Sequence, residues 1–322
     1  MNKVVNALAV ALLVPVLGAA SLVGCGDDDD DLKGPGDQGG GGTSAGAAGT
    51  SAGTAGTGAG TAGTGGTAGT SAGGSGGTSA GDATTQRFLD LTVNATGFSP
   101  HKGGQAIAAA LVNVDTNEII TSQPITLVND DTWSVNWKGV MRPGVNYALD
   151  YYADLNGSAA TKPTSPCDTQ PTDHVWRREI KAPTTDTTLT FGHDTDWTDH
   201  CATFNNQPAR YDLTFAATDF QPHTGGTVLV AVSHADTGKV IARQAVSPVG
   251  TDGKLSVAWV GLLEAGKSYN VDYYADLNKD GTCTSPPSDH VWRYEVKNVA
   301  AKVDVAVAHN STWGEYCDSF NK

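Results

Sequence analysis

Large side chains are nearly absent between Cys25 and about Thr85. Gly, Ala, Thr and Ser make up almost all of this segment, as in GGTSAGAAGTSAGTAGTGAG. Because these residues have little apolar surface to bury, they cannot offset the conformational entropy that folding removes. The segment is therefore predicted to be a flexible linker, with an r.m.s. reach on the order of 45 Å.

Basic residues are also scarce. The chain has 20 Lys and Arg against 34 Asp and Glu, which gives a net charge of −14. Residues 1–86 hold two Lys and seven Asp, or −5, so −14 − (−5) leaves −9 for residues 87–322. A negative surface disfavours nucleic acid and anionic membrane patches, and suits cations or neutral ligands.

Motifs of common enzymes are missing. The sequence has no Gly-rich phosphate loop, no nucleophile elbow and no C-x-x-C pair. Ser288, Asp289 and His290 are consecutive, which does not align a nucleophile with its base, and a similar region earlier in the chain has Thr172 in place of the Ser. We therefore expect a binding or structural protein and not an enzyme.

The first residues read as an export signal. A positive MNK precedes the apolar run VVNALAVALLVPVLGAA, which is interrupted by Asn6 and Pro15 and is short for a membrane span. LVGC, from Leu22 to Cys25, resembles the lipobox of bacterial lipoproteins. The resemblance implies a signal peptide over 1–24, lipidation of Cys25 and a membrane anchor, followed by the linker over 25–86. We expect the protein in the cell envelope, at the outer membrane or cell surface more than at the inner membrane.

The remaining sequence is duplicated. FSPHKGG returns as FQPHTGG, and DYYADLN, DHVWR and a final His-x₃-Trp-x₃-Cys pattern also occur twice. The offset is 122 residues up to DYYADLN and 116 after it, so the first copy has six extra residues in one loop. This predicts two domains, over 87–206 and 207–322.

Each copy shows short alternating segments separated by turn residues, and no helical period. Seven such segments per copy predict an all-β protein with two tandem antiparallel β-sandwiches, immunoglobulin-like or transthyretin-like in a generic sense. The copies resemble no particular family. Period-two alternation assigns Trp292, Tyr294 and Val296 of the sixth strand to the core.

Four cysteines remain once Cys25 is assigned to lipid. Each copy spaces its pair by 34 residues, which predicts the disulfides Cys167–Cys201 and Cys283–Cys317 in an exported protein. Each bond should contribute roughly 3–4 kcal/mol to the free energy of unfolding.

DLNKDG in the second copy resembles the first half of an EF-hand calcium loop, with oxygen donors at positions 1, 3 and 5 and Gly at 6. This indicates calcium at Asp276, Asn278 and Asp280, with Asp289 as a substitute for the missing Glu. The first copy has Ser158 and Ala159 at positions 5 and 6 and fits less well. An Asx-rich turn that caps its own backbone is the alternative.

Three histidines recur in each copy. If successive strands run antiparallel, the histidines of one copy meet at one end of its sandwich. By ligand type they would suit zinc or copper, and the near absence of Met argues against a blue-copper site. Ordinary histidines bonded to backbone or to Asp289 are the alternative. The two sets are His101, His174 and His193, and His223, His290 and His309.

Aromatic residues also recur at matched positions. Tyr152 and Tyr274 are predicted to face away from the core, and Trp197 and Trp313 share a spacing from the His and Cys. Such residues either stack on a glycan or protein ligand or pack under the disulfide-bonded tail. The sequence as a whole predicts a lipid-anchored envelope protein that binds a protein or glycan ligand through cation-ordered loops, or alternatively an exported zinc- or copper-binding protein.

Overall fold

The structure is a computed structural model, and it describes residues 86–103, 105–127 and 129–321. The predicted signal peptide, the predicted lipobox with Cys25, and the predicted linker up to residue 85 lie outside the described residues.

The first sandwich contains seven strands in two sheets. One sheet has the order β4-β1-β7 and the other β3-β2-β5-β6, with the short helix α1 (Ser158–Thr161) in the loop after β5. The strands are β1 (Leu89–Thr96), β2 (Ile107–Asn113), β3 (Glu118–Ile125), β4 (Trp133–Met141), β5 (Tyr147–Ala153), β6 (His174–Ile180) and β7 (Thr187–Gly192).

The second sandwich repeats this arrangement, with sheets β11-β8-β14 and β10-β9-β12-β13. The strands are β8 (Arg210–Thr218), β9 (Thr227–His234), β10 (Val240–Val246), β11 (Leu255–Glu264), β12 (Tyr269–Asp276), β13 (His290–Val296) and β14 (Val303–Ala308). The predicted all-β fold with two tandem sandwiches is confirmed.

One strand pair in each sandwich is parallel. The first and seventh strands, β1 with β7 and β8 with β14, lie side by side and run in the same direction. If the chain reverses direction at every connection, the first, third, fifth and seventh strands of a sandwich all run the same way. The first and seventh strands can therefore pair only in parallel. The ends of both strands therefore lie at the same end of the sandwich.

Alternating side chains of the two sheets fill the core. Trp292 and Val296 of β13 are buried as predicted, but Tyr294 is 41% exposed, so its assignment to the core is wrong. The exposure is local to Tyr294, because Trp292 before it and Val296 after it on the same face are both in the core.

A buried ion pair joins the fifth and sixth strands of each sandwich. Arg177 donates two hydrogen bonds of 2.6 and 2.7 Å to Asp150, its direct cross-strand neighbour, and Arg293 does the same to Asp272 at 2.6 and 2.8 Å. Both carboxylates are fully buried. Removing one partner of such a pair leaves an unpaired buried charge and costs about 3–5 kcal/mol.

The chain after the seventh strand is held across the four-stranded sheet. The disulfides Cys167–Cys201 and Cys283–Cys317 are both present. Beyond each disulfide, a hydroxyl of the tail donates to the buried carboxylate of the ion pair, Thr203 to Asp150 and Ser319 to Asp272.

The tail also covers the aromatic residues that the sequence assigned to the surface. Tyr152 packs on Phe204 and Tyr274 on Phe320, each with ring centroids 4.6 Å apart. Tyr152 and Tyr274 are 4% and 0% exposed, so the prediction that they face solvent is wrong, because the tail forms a third layer. They are not surfaces for ligand stacking.

The two sandwiches pack on each other through matching strands. β3 contacts β11 and β4 contacts β10, which are the third and fourth strands of the two copies in exchanged order. Thr121 donates to the carbonyl of Val260 at 2.6 Å, and Arg142 donates to that of Val240 at 2.7 Å. The interface is thus approximately twofold, with one copy in the place of each subunit of a symmetric dimer.

Gly139 and Gly261 allow the backbones to approach at this interface. They occupy equivalent positions, with φ of +58° and +57°. A Cβ on Gly139 would lie 2.2 Å from the carbonyl oxygen of Arg243, and one on Gly261 would lie 1.7 Å from that of Ser122.

The segment just before β1 is bound to the second sandwich. The amide of Gln86 donates to the carbonyl of Gly281, and Arg243 donates to the carbonyl of Gln86 at 3.1 Å. The N–H of Phe88 donates to the carbonyl of Arg243 at 3.0 Å, and its ring lies under the guanidinium groups of Arg142 and Arg243. The first sandwich is therefore joined to the second at its beginning as well as through β3 and β4.

Within residues 86–103, 105–127 and 129–321, no helix has the length and hydropathy that crossing a bilayer requires.

Gly261→Ala should lower the free energy of unfolding by at least about 3 kcal/mol, because a methyl group cannot fit against the Ser122 backbone. Gly266→Ala is the matched control, with φ +77° and no atom within 4 Å of the added Cβ. It should cost only about 1–2 kcal/mol, the price of left-handed backbone for a residue with a side chain. Urea unfolding followed by circular dichroism measures both, and equal losses would contradict the close approach.

Candidate metal centres

Three histidines meet at the same end of each sandwich. In the first, His101 ends the short turn after β1, His174 begins β6, and His193 directly follows β7. Because β1 and β7 are parallel neighbours, their ends bring His101 and His193 together. We call this set triad 1, and the equivalent set His223, His290 and His309 triad 2.

The imidazoles of each triad are close enough to share one ion. In both triads, one ring nitrogen from each histidine lies within 4.8 Å of the other two. The Nε2 atoms of His101 and His193 are 2.9 Å apart, and those of His223 and His309 are 3.0 Å apart. Nitrogens bound to one zinc ion at about 2.0–2.1 Å lie roughly 3 Å from each other, so this spacing fits a shared metal.

Aromatic rings enclose the triads. The ring of Trp176 is 5.4–5.8 Å, centroid to centroid, from all three imidazoles of triad 1, at steep angles. On the outer side, His174 stacks on Trp197 and His290 stacks on Trp313, each at 3.9 Å. Trp313 is 38% exposed, so triad 2 lies one ring away from solvent. This stack is the role of the two recurring tryptophans, which sequence spacing alone did not identify.

Burial lowers the pKa of five of the triad histidines, which favours their neutral form. Desolvation lowers the pKa of His101 to about 4, against a weaker opposing effect of its hydrogen bond with Gln105. It also lowers the pKa of His223 to about 4, with help from the neighbouring His309 and His290. The pKa values of His174, His193 and His290 are lowered too, again mainly by burial. Neutral imidazoles present the lone pairs that a metal ion needs.

The triads differ in one supporting residue. Nδ1 of His101 is 3.1 Å from Oε1 of Gln105, and an amide oxygen only accepts, so Nδ1 carries the hydrogen and Nε2 keeps its lone pair. Thr227 holds the equivalent position in the second copy, and its hydroxyl bonds to Ser247. Nδ1 of His223 has no hydrogen-bond partner among residues 86–103, 105–127 and 129–321. Triad 1 is therefore the better oriented of the two.

The predicted calcium residues form a separate group in the loop between β12 and β13. Asp289 accepts from the N–H groups of Leu277 and Thr284, which caps the loop. Asn278 and Asp280 are exposed and hydrogen-bonded to each other. Asp276 is buried. Calcium at these residues stays a prediction at this point, and the structure shows the capping role that the sequence offered as the alternative.

Acid should destabilise the metal-free protein through the triads. His101 and His223 have a pKa near 4 in the fold and about 6.5 when unfolded, so the unfolded chain binds more protons between those values. Stability is then complete above about pH 6.5 and falls as the pH drops towards 4. Each imidazole accounts for up to about 3 kcal/mol.

Urea unfolding in chelator at pH 7.5 and 5.0 measures this loss. The double variant His101→Gln, His223→Gln should lose less stability than wild type on acidification. An equal loss would show that other groups, such as the Asp194 carboxylate beside triad 1, determine the pH dependence.

No family model matches this chain, and no curated protein sequence matches it either. Solved structures that resemble it are β-rich proteins of low sequence identity. A Bacillus anthracis TIE protein is 8% identical with a TM-score of 0.19, over 68% of this chain and 34% of its own, so the match spans about a third of that protein. A carbohydrate-binding module of Eubacterium rectale Amy13K, solved with maltoheptaose, is 13% identical with a TM-score of 0.21, over 69% and 92%. A shaft pilin SpaA of Lactobacillus rhamnosus GG is 9% identical with a TM-score of 0.21, over 70% and 99%.

Proposed function

We propose that this chain is an exported, lipid-anchored protein that binds one zinc or copper ion at each histidine triad. The observation that carries the proposal is the convergence of three imidazole nitrogens within 4.8 Å in both sandwiches. Two separate copies of the fold place the same three residue types together, although those residues are far apart in the sequence.

Hydrogen bonding alone does not satisfy the triads. Nδ1 atoms of His174, His223 and His290 are buried and have no hydrogen-bond partner within the part of the chain that the structure describes. An unpaired polar atom in such a buried place costs free energy. A metal ion bound where one ring nitrogen of each histidine converges would use their lone pairs, and this supports a metal site over a purely structural cluster.

The ligand set suits zinc and copper better than calcium or magnesium. Imidazole nitrogen is a borderline ligand that favours zinc and copper, whereas calcium and magnesium prefer oxygen. Three protein ligands leave at least one coordination position for water or another ligand. Met141 lies in the core at 0% exposure, which argues against a thioether ligand and a blue-copper site.

The binding of a protein or glycan ligand stays a prediction from the sequence. Trp313 is the aromatic residue of the duplicated motifs that remains open to such a ligand, since the tail covers Tyr274.

The full chain should bind two equivalents of Zn²⁺ or Cu²⁺, and the ion at triad 1 should bind about 10–100-fold more tightly because Gln105 orients His101. Competition against a chelator and quenching of Trp fluorescence by Cu²⁺ measure the two binding steps, the tight one at triad 1 and the weak one at triad 2. His193→Gln should remove the tight step, and His309→Gln the weak one.

His234→Gln provides the matched control, since His234 lies outside both triads. It should leave both equivalents in place. If the double variant His193→Gln, His309→Gln still binds two ions, or if wild type binds none, the proposal is wrong.

Lipid anchoring is tested at Cys25. In a bacterial host with a lipoprotein pathway, the wild-type chain should partition into the detergent phase of Triton X-114, and Cys25→Ser should move it to the aqueous phase. The physical reason is that acyl chains contribute about 0.8 kcal/mol for each buried CH₂ group. Wild-type protein in the aqueous phase would contradict the anchor.

A further inference from the structure

Asp276 has a buried carboxylate with a hydrogen bond to only one of its two oxygens, within the described residues. The residue is 5% exposed, and its Oδ2 accepts from the N–H of Gly281 at 3.2 Å. Its Oδ1 is buried and has no hydrogen-bond partner among the described residues. A half-satisfied carboxylate in a buried position is costly unless a cation or a proton compensates it.

In the first sandwich, the equivalent buried carboxylate is fully hydrogen-bonded to backbone N–H groups. Asp154 is the equivalent residue, and its two oxygens accept from the N–H groups of Ser158 and Ala159, at 3.0 and 2.9 Å. These N–H groups belong to the start of α1, which lies in the loop that carries the six extra residues. The second copy has no such helix in its shorter loop, so the Oδ1 of Asp276 is left open.

Oxygen donors follow Asp276 at the spacing of a calcium loop. Asn278 and Asp280 come two and four residues later, with Gly281 next. Lys279 and Gly281 have φ of +57° and +73°, so the loop is tightly coiled around these side chains. The hydrogen bonds that Asn278 and Asp280 make leave lone pairs free on their oxygens.

We propose that Asp276, Asn278 and Asp280 bind one Ca²⁺ ion in the second sandwich, and that α1 replaces this ion in the first. Backbone carbonyl groups and water complete the coordination. The site uses other residues than the histidine triads: its donors are oxygens at the start of the loop between β12 and β13, whereas triad 2 takes His290 from the far end of that loop. The site has two carboxylates and lacks the bidentate Glu of an EF-hand. Because calcium affinity rises with ligand charge, we expect a Kd of roughly 10⁻⁴–10⁻³ M, as in extracellular calcium modules.

Burial, together with the neighbouring Asp289 and Asp280, raises the pKa of Asp276, so protonation is the competing way to neutralise it. The two explanations differ in calcium dependence. A protonated Asp276 makes the protein more stable in mild acid and indifferent to Ca²⁺. A calcium site makes it more stable in Ca²⁺ at neutral pH.

Thermal melting of the full chain at pH 7.5 in chelator or in 5 mM Ca²⁺, followed by circular dichroism, tests the proposal. Wild type should gain about 4–8 °C in Tm with Ca²⁺. Asp276→Asn should lose this gain, and in chelator it should melt no lower than wild type, because the open carboxylate is gone. Asp154→Asn, the matched control, should keep the calcium gain and should lower Tm in chelator.

Asp280→Asn provides a second variant at an exposed position, where folding is not at risk. It should weaken calcium binding at least about 10-fold in a calorimetric titration. No calcium gain in wild type, or a gain that survives both Asp276→Asn and Asp280→Asn, would overturn the proposal. Two calcium equivalents per chain would also overturn it, because α1 would then not replace the ion. The triad variants should leave the calcium gain unchanged, so this test and the test of the zinc or copper sites can fail separately.

Discussion

The ion pair between Asp150 and Arg177, and its copy between Asp272 and Arg293, fixes the register on which the rest of each sandwich depends. The partners face each other across two antiparallel strands and share two hydrogen bonds, with the carboxylate fully buried. A slip of one residue would leave both charges unpaired and move every neighbouring side chain to the other face of the sheet. A tail hydroxyl, of Thr203 or of Ser319, donates a hydrogen bond to the same carboxylate. Because each hydroxyl follows the second cysteine by two residues, the strand register and the disulfide position are linked.

With the register fixed, each residue of DYYADLN and DHVWR has a defined place. Tyr151 stacks on Trp176 in the core, while Tyr152 lies on the opposite face under the tail. Asp173 caps the loop between the strands, and His174 enters triad 1 at the first position of its strand. These two short motifs thus supply core, cover, cap and one imidazole of triad 1, which explains why nearly all of both recurs in the second copy.

Much of this was predictable from the sequence, because the signals were local or duplicated. Strand alternation and turn residues predicted the two sandwiches, and equal spacing of Cys in both copies predicted the disulfides. The gathering of the triads followed from strand direction alone, without any local metal motif. What sequence did not reveal depends on packing beyond the two sheets: Tyr274 reads as exposed until the tail is placed over it. Tyr294 alternates with the core residues Trp292 and Val296 and is nevertheless exposed, which period-two alternation cannot show.

The interface between the sandwiches was also hidden from sequence analysis. Gly139 and Gly261 look like ordinary turn or bulge residues, and only the three-dimensional arrangement shows that each faces a carbonyl of the other copy. A duplicated chain that packs about an approximate twofold axis can let its copies diverge, as the two loops around Asp154 and Asp276 have done. In the first copy, N–H groups of α1 compensate the buried carboxylate of Asp154. In the second copy, the proposed calcium ion would compensate Asp276.

The attachment of residues 86–88 to the second sandwich has a mechanical consequence. Gln86 and Phe88 precede the first strand of the first sandwich, yet they are hydrogen-bonded to Gly281 and Arg243 of the second. A pulling force applied to the chain before residue 86 therefore acts on both sandwiches at once. It does not pull β1 away from the first sandwich alone. Gly281 belongs to the loop of Asp276, so the same tension passes directly beside the oxygen donors of that loop.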